Sequence, residues 1–164
     1  MMRKLLTLLG IVAIIVYSIL GATLMNDWAV VAASGMPLET TIADMDAAGQ
    51  AYTTTPGFVF AGLGILLALA WAAMTLVRHT SLPNWAATSL WAGIIVLGAP
   101  AYFFTSFANL NSVGDTYYEW NAEAASALEA PLYMASGIAL LIVIALSVTA
   151  VFKATARKKP SPVT

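Results

Sequence analysis

Eight carboxylates, seven Lys or Arg side chains and a single imidazole are the ionisable groups of this 164-residue chain apart from its tyrosines, and cysteine is absent. Without thiols there is no disulfide, thiolate metal site, iron–sulfur cluster or cysteine nucleophile. One histidine, His79, cannot supply paired haem ligands, a copper or zinc histidine cluster, or an HExxH helix. The most suggestive acids are Asp115, Glu119 and Glu123, spaced four apart. Their Ala-rich continuation favours helix, which would put all three on one face, where like charges repel by roughly 0.2–0.5 kcal/mol per pair. Such a stripe gains from a cation or a basic partner, and oxygen ligands alone point to Ca²⁺, Mg²⁺ or Mn²⁺ rather than zinc. Sorting of basic residues to the opposite side accounts for the same stripe without any metal. Asp44 and Asp46, two apart, share no helical face and do not form the spaced acids of an EF-hand.

The elements that position these groups are set by composition. The chain is 60% hydrophobic and 9% charged, with mean hydropathy +0.84, whereas a soluble domain is about a quarter charged. Its charges fall in blocks of one sign: Arg3 and Lys4; Asp27, Glu39, Asp44 and Asp46; Arg78; Asp115, Glu119, Glu123 and Glu129; Lys153, Arg157, Lys158 and Lys159. Apolar stretches at about residues 5–25, 57–77, 85–107 and 131–152 separate the blocks. Each has the roughly 20 residues a helix needs to cross about 30 Å of hydrocarbon. The fold class expected is therefore all-α: an integral membrane four-helix bundle forming a single transmembrane domain over residues 1–164.

Lys and Arg stay on the cytoplasmic side of short loops. Both termini and the turn 78–84 are then cytoplasmic, and the acidic loops 26–56 and 108–130 face outside. The first span follows Arg3 and Lys4 as a secretion signal would, but it is longer than a signal core and lacks a close small-x-small cleavage site, so an uncleaved anchor is expected. On this topology His79 and every carboxylate lie on opposite sides, which forbids a Ser-His-Asp triad. No ionisable residue other than Tyr falls within a span, an argument against a pump or coupled antiporter. Gly57, Gly62 and Gly64 lie in a span without the lysine of a phosphate loop. The short basic tail suits anionic lipid rather than nucleic acid.

Local chemistry marks the boundaries. Pro56 and Pro131 suit the first turns of the second and fourth helices, and Ser81 or Asn84, with Pro83 between them, suits the cap of the third. Residues 41–51 read as a short helix, and the tail from Lys158 to Pro162 as a disordered exit. Trp28, Tyr52, Trp85, Tyr102, Tyr117, Tyr118 and Trp120 fall near membrane edges, while Trp71 and Trp91 fall deeper and pack against neighbouring helices or lipid. Gly64, Ala68 and Ala72 form a small-residue seam for helix packing, with Ala135 and Ala139 as a shorter one. Gly98, Ala99 and Pro100 predict a kink or a close partner contact. Beyond them Tyr102, Thr105, Ser106 and Asn109 make a polar helix end that either lines a cavity or bonds back to its own helix.

A shift of 75 aligns Pro56, Gly62, Leu66 and Arg78 with Pro131, Gly137, Leu141 and Lys153, and a shift of 77 aligns Gly21 with Gly98. This suggests a tandem duplicated helical hairpin, although Ala-, Leu- and Gly-rich chains also match themselves by chance. Functionally, the residues predict a non-catalytic accessory or assembly subunit of a larger bacterial membrane complex, of respiratory or cell-envelope type, in the plasma membrane. The expected partners are lipid, other membrane subunits and a basic external partner at the acidic loops; no cofactor is implied. The alternative is a small carrier, channel or binding protein for an apolar or lipid-like molecule. An enzyme acting through the outer carboxylates as acid and base is the third option.

Overall fold

The computed structural model describes residues 2–76 and 82–157. His79, Arg78, Ser81 and the tail from Lys158 onward lie outside the described residues. The chain is all-α: α1 (Met2–Thr23) passes through a π-helical turn (Leu24–Trp28) into α2 (Ala29–Ser34), followed by α3 (Leu38–Ala47), α4 (Thr55–Leu76), α5 (Asn84–Thr116) and α6 (Ala122–Arg157). Four segments, Arg3–Ser34, Thr55–Leu76, Asn84–Thr116 and Ala122–Ala156, are long and apolar enough to cross a bilayer. They pack as an antiparallel bundle of a multi-pass membrane protein. Arg3, Lys4 and Lys153 gather at one end of it, and the carboxylates at the other.

Three helices outrun the hydropathy that reveals them. The first continues to Ser34, the third reaches Thr116, and the fourth starts at Ala122, leaving Pro131 inside it rather than in its first turn. The short helix is Leu38–Ala47, shifted toward the N-terminus from 41–51. Hydrocarbon accounts for about 20 residues per helix. The extensions are held by packing: Ala29, Val30, Ala33, Met45, Val113 and Ala125 form a second buried cluster, separate from the core among the spans. Left-handed glycines set the corners of this cap, Gly35 (φ 69°) after α2 and Gly49 (φ 73°) after α3, where a side chain would be strained. The two halves of the chain thus differ in their connections, a helix and two turns against one five-residue turn.

Between the spans, contact depends on small residues. Along α1 and α4 the seam runs from Thr7 against Thr75 (Oγ–Oγ 3.3 Å), through Gly10 against Trp71, Ser18 against Gly64 and Gly21 against Phe60, to Asn26 against Gly57. Gly64, Ala68 and Ala72 are all buried, as the small-residue spacing predicts. On α6 the buried line is Ala125, Glu129, Leu132, Ser136 and Ala139; Ala135 faces outward, so the expected Ala135–Ala139 seam is only half present. Pro100 is exposed within an unbroken α5, and the close approach beside it is Gly98 under the Tyr17 ring. Trp71 is buried and its indole N–H donates to the Ala87 carbonyl (3.2 Å), tying α4 to α5.

A methyl at Gly64 meets both Oγ and Cβ of Ser18, whereas one at Gly62 meets nothing within 4 Å. Gly64→Ala should therefore cost about 1–3 kcal/mol while Gly62→Ala is neutral or slightly stabilising. Thermal unfolding of the two variants in the same detergent checks this.

Candidate functional site

The acidic end is built around one amide. Asn109, 3% exposed, stands where α5 passes the π-helical turn and the segment leading into α4. Its Nδ2 donates to the carbonyls of Met25 (3.0 Å) and Thr53 (2.8 Å), and its Oδ1 accepts from the Thr53 N–H (3.1 Å). In the π-helical turn the Ala29 N–H reaches five residues back to the Leu24 carbonyl, a register shift that perturbs the pairing of neighbouring carbonyls. Two of those carbonyls find side-chain donors, Met25 from Asn109 and Asn26 from the Tyr52 hydroxyl. Ser112, one turn beyond Asn109, donates to the Ala51 carbonyl (2.9 Å). The polar end of α5 thus divides: Thr105 and Ser106 bond back within their own helix, while Asn109 and Ser112 hold the loop.

The second connection docks onto the first. The Asn121 N–H donates to the Ala33 carbonyl (2.7 Å) and its Oδ1 caps α6 by accepting from the Ala124 N–H (2.9 Å). The Tyr117 hydroxyl donates to Asp44 Oδ2 (2.7 Å), and the Trp120 ring lies against Gly114. Burial, and then its bond to the Asp44 carboxylate, hold the Tyr117 phenol above its ordinary value; burial and then the negative charge of Asp27 do the same for Tyr52.

The acidic stripe does not form. Asp115 lies in the last turn of α5, Glu119 in the turn after it and Glu123 in the first turn of α6, because Tyr117 and Asn121 bend the chain back onto α2 and α3. Among the described residues no three His, Cys, Asp or Glu side chains converge as metal ligands. These acids are instead exposed with Glu39 and Asp46 over the outer surface of the cap. At this end of the bundle the sequence places no Lys or Arg.

Glu129 departs furthest from expectation. Far from being an external loop acid, it lies in a spanning helix, is 8% exposed, and its Oε1 accepts from the hydroxyl of the fully buried Tyr102 (2.8 Å). Tyr102 sits edge-on between Phe60 (6.1 Å) and Tyr133 (5.9 Å). Deeper in the bundle, Ser136 gives its one proton to the Ile95 carbonyl (2.9 Å), so Tyr17 is the donor in the Tyr17–Ser136 bond (2.9 Å). Tyr17 and Ile95 also wall two apolar clefts, one of about 240 Å³ among α1, α4 and α5 and one of about 440 Å³ between α1 and α6. The line Ala125, Glu129, Leu132, Ser136, Ala139, spaced alternately four and three, is the signal in the sequence that marks this buried face.

Comparisons with protein-family models, with curated proteins and with solved structures return no match.

Two outcomes follow from the cap. Asn109→Leu leaves two carbonyls and an amide without their partner; it should lower stability by about 2–4 kcal/mol and speed hydrogen exchange at the Thr53 amide. Tyr52 and Tyr117 keep their protons past the pH, about 10, at which an unfolded tyrosine releases its own. Their contribution to stability is complete below that pH and is lost as pH climbs through their folded values. The unfolding temperature should fall above about pH 10, less steeply in Tyr117→Phe.

Proposed function

We propose that this protein is a non-catalytic accessory or assembly subunit of a larger bacterial membrane complex, of respiratory or cell-envelope type, seated in the plasma membrane with both termini cytoplasmic. The observation that carries the reading is the cap. Its connections are bonded to one another through Asn109, Ser112, Tyr117 and Asn121, so its surface is organised before any partner arrives. Glu39, Asp46, Asp115, Glu119 and Glu123 are exposed on it without basic residues beside them. A preorganised surface of one sign favours encounter with a surface of the other and loses little entropy on docking. The partner is accordingly a basic external domain of a neighbouring subunit.

Purification in mild detergent, with identification of the chains that accompany the protein, tests this. Capture should weaken about tenfold in the Glu119→Lys, Glu123→Lys double variant and at raised salt, with the unfolding temperature unchanged. A protein that stays alone under several detergents overturns the reading.

A second reading, a binding protein or carrier for an apolar or lipid-like molecule, is favoured by the 440 Å³ cleft between α1 and α6, a size usual for small-ligand sites. Ala135 and Leu132 line it beside Tyr17. On that reading Ala135→Trp should abolish retention of a photoreactive lipid that the unaltered protein captures.

A further inference from the structure

Glu129 is the one carboxylic side chain among the described residues that is buried, and the proposed docking of the cap makes no use of it. Its two oxygens differ: Oε1 is bonded within the protein, whereas Oε2 is not among the buried polar atoms left without a partner and so reaches the surface of the chain. As a carboxylate it offers two acceptor oxygens, of which Oε1 is taken by Tyr102 and Oε2 has no protein donor among the described residues. As an acid its O–H finds no protein acceptor there either.

The surroundings pull both ways. The Tyr102 phenol donates to the charged form and stabilises it; apolar walls without a cation stabilise the neutral one. The groups around the carboxyl are few: Tyr102 from α5 and Tyr133 one turn along α6, with Phe60 of α4 and Ser106 of α5 against Tyr102 and Tyr17 of α1 beyond Tyr133; the π-helical turn, which also packs on α6, carries Asp27. α2 contributes Ala29, Val30 and Ala33 and no charge. None is a Lys, Arg or His. In position, Glu129 is 24 residues before Lys153 along α6, or about 36 Å at 1.5 Å per residue, which puts it at the far edge of the hydrocarbon and beneath the cap.

We propose that Glu129 is a proton-binding site, exchanging a proton at Oε2 with water at the acidic side of the membrane while Tyr102 holds Oε1. An ionisable group in a spanning helix marks a site of function far more often than one on a surface. The step is simple: a hydrated proton adds to Oε2, its water is released, and the charge of the site goes from minus one to zero. Tyr102 is a positioning residue, because its phenol keeps the carboxyl turned so that Oε2 is the oxygen that titrates.

Infrared pH-difference spectra of the full-length protein in liposomes test the proposal. Beside the bands of the exposed acids, one carbonyl component of a protonated carboxyl should appear and vanish reversibly as pH is cycled, be missing in Glu129→Gln, and shift in frequency in Tyr102→Phe. Difference spectra of Glu129→Gln that match those of the unaltered protein, or a Glu129 component whose intensity ignores pH, overturn it. Should Glu129→Gln fail to fold, dicyclohexylcarbodiimide on the unaltered protein gives an independent reading. That reagent takes the carboxyl proton on nitrogen while the carboxyl oxygen adds to its central carbon, and the product rearranges to a stable N-acylurea. Mass spectrometry should place the adduct on Glu129, its yield falling about tenfold per pH unit above the midpoint. Adducts confined to the exposed acids of the cap, or a yield at Glu129 independent of pH, overturn the proposal.

Discussion

A polar group carried into a bilayer has no water to turn to, so a partner within the protein is favoured for each backbone carbonyl and side-chain hydroxyl, and among the described buried side chains only Asn26 Oδ1, Ser89 Oγ and Trp91 Nε1 lack one. This constraint explains the placement of nearly every polar residue described above. A turn of π-helix shifts the pairing of α1, and Asn109 and Tyr52 supply donors to the carbonyls there. Because those donors come from α5 and from the segment before α4, the irregularity of one helix becomes the fastening point of three. Interhelical hydrogen bonds in membranes average only about 0.6 kcal/mol each. Their value here is positional: Asn109 fixes the depth of α5 against α1, and Asn121 fixes the entry of α6 against α2.

The seam between α1 and α4 works by shape. Gly10 receives Trp71, Gly21 receives Phe60, and Gly57 and Gly64 receive Asn26 and Ser18. The inserted side chains alternate between the two sides of the seam, each set over a glycine opposite. Lipid tails compete equally for apolar surface, so close backbone approach and the dispersion contacts it brings are what favour helix over lipid. The same logic places Gly98 under Tyr17, from which Tyr17 reaches Ser136 and, through it, the Ile95 carbonyl. Three helices therefore meet at one phenol, with an apolar cleft on either side of it.

Much of the bundle was legible in the residues alone. Four apolar stretches announced four spans, and Gly64, Ala68 and Ala72 announced a packed face. Asn109 stood out as an amide at the end of an apolar helix, but its partners are Met25 and Thr53, separated from it by 84 and 56 positions, and nothing local reveals so distant a contact. Glu129 lies inside α6 rather than in the loop that the sequence predicts, for a definable reason. A proline suits a first turn, so Pro131 drew the start of α6 toward itself. The ring lies on the exposed side of a continuous helix, and the four-three spacing of buried residues around it was the stronger guide. The stripe of Asp115, Glu119 and Glu123 failed because helix propensity was extended across a segment that Tyr117 and Asn121 pull into a turn.

The pairing of α1 with α4 also bears on how the molecule is made. Both precede α5 in the sequence, so their glycine seam can close while α5 is still within the ribosome, in keeping with assembly in chain order during synthesis. The Met25 carbonyl then gains its side-chain donor only when Asn109 arrives with α5. Arrival of the third span supplies Asn109 and Ser112, and the cap is complete once Tyr117, Asn121 and Ala125 have followed.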